Sequence, residues 1–277
     1  MTKADGSKQP FEKEKIVQTC LKMGVTRDVA LQVAEEVEHR LYEGITTREI
    51  LQMVFALMSK PKPAVKHVFD LKYAISLMEP KPEFEMFVRV VLAHSGFQVT
   101  PNAILRGSCG EHEVDAIATK DGLRYFVEAK HHVNYHALTG LDESRIARAI
   151  MEDVTDAYRS GATEIKIDRA IIVTNTRFSE HAMLYGRCRD ILQVGWSSPE
   201  GSGLRDTVEK YSLYPLSCLR DVSVETRLRL VAAGIVLVKQ LAEQDSRYIE
   251  RKIELPHEKV LSIVENARHA TETLWSY

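Results

Sequence analysis

Along the first 79 residues apolar positions recur at three- and four-residue spacing, which predicts helices over 13–22, 27–42, 47–58 and 64–78. The stretch Lys3-Ala4-Asp5-Gly6-Ser7-Lys8-Gln9 ahead of them carries a short polar hairpin signal, and Thr47-Arg48-Glu49 carries the threonine and acid of a helix start. From residue 83 the period changes. A helix over 83–94 gives way to strands near 97–103, 114–119 and 123–129, then helix 142–160, strand 169–174, helix 179–189 and strand 192–196. That alternation predicts an α/β layer. Residues 204–277 read as helix throughout. Glu79-Pro80-Lys81-Pro82 and the run from Ser197 to Gly203 punctuate the chain, the first as a helix end and linker. The expected architecture is multidomain α/β: a mainly helical domain at 1–79, an α/β sheet core at 80–202 and a helical domain at 203–277.

The 44% apolar and 27% charged content of 277 residues supports packed cores rather than a disordered chain. The three segments carry net charges of +1, −3 and 0, so nucleic-acid binding has to rest on a local patch. Cys20, Cys109, Cys188 and Cys218 form no CxxC pair, which argues against a zinc ribbon and fits reduced thiols in a cytoplasmic setting. No leader and no membrane span is expected; the run from Leu228 to Leu241 is interrupted by Arg229, Gly234, Lys239 and Gln240.

The candidate chemistry lies in the predicted hairpin. Val114-Asp115-Ala116-Ile117-Ala118 and Tyr125-Phe126-Val127-Glu128-Ala129-Lys130 flank Lys120-Asp121-Gly122. Strand alternation puts Glu128 and Lys130 on one face, and cross-strand pairing can bring Asp115 beside them. Carboxylates inside apolar strands are costly unless paired or metal-bound. Two readings follow: a structural acid–lysine ion pair, or a Mg²⁺ site, since Mg²⁺ takes one or two carboxylates plus waters and phosphate oxygens. His131, His132 and His136 follow; such histidines more often line a substrate groove or the solvent than a zinc site, which no matching cysteine or helical i, i+4 pair completes here.

The order of Glu85 in Phe84-Glu85-Met86-Phe87-Val88, then Asp115, then Glu128-Ala129-Lys130, resembles the PD-(D/E)xK nucleases, particularly the Mrr-like restriction endonucleases and archaeal Holliday-junction resolvases. Ile171-Ile172-Val173-Thr174-Asn175, Phe178-Ser179-Glu180-His181-Ala182 and Val194-Gly195-Trp196 extend the likeness; the proline of the motif name is absent before Asp115. The resemblance implies a restriction-endonuclease-like core in which Asp115 and Glu128 hold Mg²⁺ or Mn²⁺. Lys130 orients the attacking water or balances transition-state charge, and Glu85 is an accessory carboxylate. Arg106, Lys120, Arg124, Arg145 and Arg148 are candidates for the DNA backbone.

Lys3 to Ser7, Pro10-Phe11-Glu12-Lys13-Glu14-Lys15-Ile16 and Leu41-Tyr42-Glu43-Gly44-Ile45-Thr46-Thr47-Arg48-Glu49-Ile50 resemble the ATP-cone, the nucleotide-sensing module of ribonucleotide reductases and their repressors. That likeness implies ATP or dATP as a ligand, with Lys3 and Lys15 on phosphates, Gln9 and Glu12 near base or ribose, and Thr46 or Thr47 near the nucleotide. Ala4 stands where the family often has a basic residue. Thr226 to Leu241, then Arg247 through Ile253-Glu254-Leu255-Pro256 to Ala267, resembles the tandem helix-hairpin-helix domain of recombinases, without glycines in its second turn. It implies backbone binding to DNA; oligomerisation, docking and a plain helical cap are the other readings.

Together these imply a Mg²⁺-dependent DNA endonuclease regulated by ATP or dATP, as a homodimer or higher homo-oligomer away from membranes. The alternative is a nucleotide-sensing DNA-binding regulator without catalysis, and an RNA-directed nuclease is a third reading.

Overall fold

The computed structural model describes residues 1, 7–22, 25–59 and 70–273. They form two compact units, one of Met1–Asp70 with Leu216–Tyr277 and one of Leu71–Pro215. The multidomain α/β class expected from the hydrophobic pattern is the class observed.

The first unit opens with an arm whose ends pair: the Met1 amine donates to the Gln9 carbonyl (2.9 Å) and Gln9 N to the Met1 carbonyl (3.0 Å). Residues 2–6 of the expected hairpin, Lys3 among them, lie outside the described residues. Helices α1 (Lys13–Lys22), α2 (Arg27–His39) and α3 (Thr47–Met58) pack on one another over Val17, Ala34, Val37, Ile50 and Val54. Helix α2 stops three residues short of the expected end. Gly44, at φ 87°, turns the chain so that Ile45 is buried, and Thr46 then caps α3. Thr46 Oγ1 accepts from Glu49 N (3.2 Å) while Thr46 N donates to Glu49 Oε2 (2.9 Å), a reciprocal capping box.

The second unit starts with α4 (Leu71–Ser76), the described part of the helix expected over 64–78. The predicted linker at 79–82 is instead an ordered wide turn, Pro80–Phe84, that leads straight into α5 (Glu85–His94). Glu83 closes it by accepting from Glu79 N at 3.0 Å. A five-stranded sheet follows: β1 (Gln98–Arg106), β2 (Glu111–Lys120), β3 (Leu123–Lys130), β5 (Arg169–Thr174) and β7 (Ile191–Val194), side by side in that order. The first three run antiparallel, and β3, β5 and β7 run parallel. Strand β3 thus serves both as a hairpin arm and as the first strand of a crossover through β4 (Leu138–Thr139) and α6 (Leu141–Arg159). Two-residue strands β4 and β6 (Arg177–Phe178) pair with each other. Ala147, Met151 and Val154 of α6 and Ala182 of α7 (Glu180–Cys188) close one core with Leu105, Val114, Phe126 and Ile172. The β1–β2 turn is tied to α6 by Asp153. Its carboxylate accepts from Cys109 N and meets His112 Nε2, both at 2.7 Å, and these bonds hold it down at about 2. A Cβ on Gly107 would collide with that carboxylate. The run from Ser197 to Gly203 folds back, with Leu204 N bonded to the Gly195 carbonyl, so α8 (Leu204–Tyr211) continues the second unit.

The remaining helices of the first unit are α9 (Val224–Ala232), α10 (Val238–Ala242), α11 (Ser246–Ile253) and α12 (His257–Thr273). Their turns use Gly234 at φ 85° and, where glycine is missing, Glu254 at φ 52°. The left-handed Glu254 costs about 1 kcal/mol; Arg229 offsets it by donating to the Ile253 carbonyl at 2.9 Å. No helix among the described residues is long and apolar enough to cross a membrane.

Candidate active site

The β2–β3 ladder pairs Ala116 with Val127, so the next positions outward, Asp115 and Glu128, face each other on one side of the sheet. Beside them the β1–β2 ladder skips one pair, Asn102 and Asp115, and Asn102 sits at φ 40°. Ladder breaks of this kind re-aim side chains. The freed Asp115 carbonyl accepts from Arg89 of α5 at 3.2 Å, and the same guanidinium nitrogen donates to Asn102 Oδ1 at 2.9 Å. The Asp115 carboxylate is fixed by its Oδ2, which accepts from Ala129 N at 2.7 Å, between Glu128 and Lys130. Its Oδ1 faces Lys81 Nζ at 3.6 Å.

Three carboxylates crowd this end of the hairpin. Glu85, on the first turn of α5, has a side chain only 7% exposed. Burial raises its pKa, Lys81 opposes that rise, and Asp115 adds to it. Lys81 Nζ lies 3.0 Å from Glu85 Oε1, yet that oxygen has no well-aligned hydrogen bond. Glu128 is pushed up to about 7, by burial first and by the Asp115 charge second, against the pull of Lys130 and Lys81. Lys130, two residues along the same face, pairs with Glu143 Oε1 at 2.9 Å from the first turn of α6. Among the described residues no three His, Cys, Asp or Glu side chains enclose a metal-sized space. A hard cation that keeps several waters needs one or two carboxylates, and a buried carboxylate oxygen without an aligned donor is suited to it.

The structure therefore brings together Glu85, Asp115, Glu128 and Lys130, the four residues singled out from the sequence. It adds three. Arg89 lies four residues after Glu85 on α5, the helical spacing that would have found it, whereas Lys81 reaches Glu85 from the extended turn before the helix. Glu143 reads in the sequence as a helix-start acid, and it is that as well. The histidines after β3 are spent on packing. His131 Nε2 meets the Ile75 carbonyl at 2.9 Å and its ring lies 5.1 Å from that of Phe84. His132 Nε2 meets Thr139 Oγ1 at 3.1 Å. Burial pushes the pKa of both imidazoles down. Asn175 exchanges two 2.8 Å bonds with the His132 backbone, and Thr139, Thr174 and Thr176 join hydroxyls beneath it. The Val-Thr-Asn strand end thus clamps the chain leaving Lys130. Most of the cations considered for DNA are bound elsewhere: Lys120 to the Ser95 carbonyl, Arg124 to the Lys166 carbonyl, Arg145 to Asp142 and Arg148 to Glu152.

Of the expected nucleotide contacts, Lys3 lies outside the described residues. Lys15 pairs with Glu12 at 2.7 Å in an exposed bridge, and Gln9 closes the arm. Thr46 and Thr47 stand at the start of α3, with the Thr46 hydroxyl donating to Glu49 Oε2 at 2.7 Å.

Comparison with known proteins matches residues 1–67 to the ATP cone domain and residues 76–191 to a restriction endonuclease family. An uncharacterized protein of Archaeoglobus fulgidus is 35% identical over 178 residues, 64% of this chain and 96% of that protein. A protein of unknown function whose crystal structure is known aligns with a TM-score of 0.60 at 31% identity, over 73% of this chain and 99% of that one. With the acidic hairpin and the mixed sheet already in view, the chain belongs to the restriction endonuclease family through residues 76–191 and carries an ATP cone domain ahead of it.

Proposed function

We propose that this protein is a Mg²⁺- or Mn²⁺-dependent endonuclease that hydrolyses DNA phosphodiester bonds, and that ATP or dATP at the cone regulates it. The observation that carries the reading is the Asp115–Glu128 pair, opposed across the hairpin with Asp115 locked by Ala129 N and Lys130 on the same face. Asp115 and Glu128 would hold the ion, which supplies an acidified water and a polarised phosphate when bound. Lys130 orients the water or balances charge on the phosphate oxygens, and Glu143 holds its ammonium in place. Glu85 serves as an accessory carboxylate. Two sites related by a two-fold axis suit the two strands of a duplex, which favours a homodimer.

In the cone, the Lys15–Glu12 bridge is exposed and worth little on its own, so a nucleotide phosphate displaces it readily. Lys15 and Lys3 would take phosphates, Gln9 and Glu12 the base or ribose, and Thr46 and Thr47 would lie alongside. Lys15→Ala is expected to weaken ATP binding about tenfold by calorimetry; unchanged affinity removes this assignment.

Lys81 is a resident cation among carboxylates, 3.0 Å from Glu85, 3.6 Å from Asp115 and 3.9 Å from Glu113. It opposes an incoming divalent ion. Lys81→Ala is therefore expected to tighten Mg²⁺ binding about fivefold, read by titration of the full chain without DNA. Equal or weaker binding would show that Lys81 is not a competitor.

The function is tested by cleavage of plasmid, linear, single-stranded and branched DNA with Mg²⁺ or Mn²⁺, with and without ATP and dATP. Metal-dependent cutting that changes with nucleotide supports the proposal. DNA retained on a gel without cutting turns it to a nucleotide-sensing DNA-binding regulator.

A further inference from the structure

The chain that leaves Lys130 runs into a cluster of rings that the hydrolytic site does not use. Tyr135 meets Tyr73 of α4 edge-on, with centroids 6.1 Å apart, and lies 4.2 Å from the ring of His136. Lys72 Nζ sits 5.6 Å from the Tyr135 ring and 5.8 Å from that of Trp196. An ammonium within about 6 Å of two π-faces is in cation–π range of both. Val133, on the same loop, is an apolar side chain 74% exposed.

The backbone presents this cluster firmly. Ala137 N donates to the Asn134 carbonyl (2.9 Å) and His136 N to Asn134 Oδ1 (3.1 Å), a tight turn that holds Tyr135. Trp196 N donates to the Thr176 carbonyl (2.8 Å), and the Trp196 carbonyl accepts from Arg205 N (3.0 Å). The same Thr176 hydroxyl meets Thr139, in the group that clamps the chain after Lys130. Tyr135 is five residues from Lys130, so its Cα lies at most about 17 Å from that of Lys130. That reach is roughly five base steps of a nucleic-acid strand.

Rings with an interleaved lysine match one ligand chemistry, a strand whose bases are unpaired: the rings take base faces and the ammonium takes a phosphate. Stacked bases of an intact duplex have no face to offer. We propose that Tyr135 and Trp196, with Lys72 between them, form a stacking platform for unpaired nucleotides, so that the preferred substrate is DNA with a single-stranded or splayed segment next to the scissile phosphate. This inference rests on the nuclease reading for its substrate, but its test does not depend on cleavage.

The test uses the full chain, with Ca²⁺ in place of Mg²⁺ so that no hydrolysis contributes, and a fluorescein-labelled mixed-sequence oligonucleotide either single-stranded or annealed to its complement. Tyr135→Leu keeps an apolar side chain but removes the π-face, and it is expected to weaken single-strand binding about tenfold while duplex binding stays within about twofold. Tyr135→Phe keeps the face and is expected to bind both like wild type; its unchanged duplex affinity also reports an intact fold. The platform is overturned if Tyr135→Leu binds single strands as wild type does, or if it loses single-strand and duplex affinity equally. Failure of the nuclease reading looks different: no cutting in Mg²⁺, whatever the binding ratio.

Discussion

Asp115→Asn is expected to lower metal-dependent cleavage about a thousandfold or more while leaving the fold intact. The asparagine keeps an oxygen at the position that accepts from Ala129 N, so the 2.7 Å bond joining β2 to β3 survives. What disappears is one negative charge, and with it the electrostatic half of the pair that faces Glu128. Removing a like charge from a crowded carboxylate group also relieves repulsion. The melting temperature without metal should hold or rise slightly. Loss of activity together with retained stability is therefore the expected signature, where Asp115→Ala would mix lost charge with a lost hydrogen bond. A purified Asp115→Asn protein that cuts DNA at the wild-type rate would remove the assignment of the site. Cutting lost together with the fold would show that Asp115 holds the hairpin together.

Much of this site was legible because strand geometry is local. The turn at Asp121-Gly122, with φ 51° and 77°, sets the β2–β3 register, and that register alone puts Asp115 opposite Glu128. Glu85 was legible only through family order, since no local rule ties a helix start to a hairpin thirty residues on. Lys81 was read as part of a linker because two prolines flank it, and proline marks breaks without saying what the chain does next. In the fold it is held extended (φ −127°, ψ 135°) in the turn before α5, with its ammonium among the acids. Arg89 answers a backbone carbonyl freed by a skipped ladder pair, which exists only once β1 lies against β2. The histidines pointed the other way. Three of them follow a lysine, but His131 and His132 are spent on a carbonyl and a hydroxyl, and His136 is exposed on the loop. The second C-terminal turn has no glycine, and Glu254 takes the left-handed conformation there, a tolerance that sequence rules give mainly to glycine and asparagine.

Glu128 gives the second large effect, and its sign is opposite to that of an ordinary ion-paired carboxylate. In the unfolded chain this group titrates near 4.5; in the fold, burial and the Asp115 charge hold it up at about 7. Between those values the folded state binds more protons than the unfolded state. Stability without metal is therefore full below about 4.5, falls as pH rises toward 7 and is flat above it. The gap corresponds to about 3 kcal/mol. Glu128→Gln is neutral at every pH, so above pH 7 it should be more stable than wild type by up to about 3 kcal/mol, and the two should converge in acid. The same substitution should abolish cleavage, because the residue that destabilises the empty hairpin is the one proposed to take the ion. Adding Mg²⁺ should then stabilise wild type and not the glutamine variant, since a ligand stabilises only the state that binds it. Wild-type cleavage at limiting metal should rise about tenfold per pH unit below 7 and level off above it, as Glu128 ionises. Urea melts of both proteins between pH 5 and pH 8 decide the matter: parallel stability profiles would mean that Glu128 is already ionised in the fold and that its burial carries none of this effect.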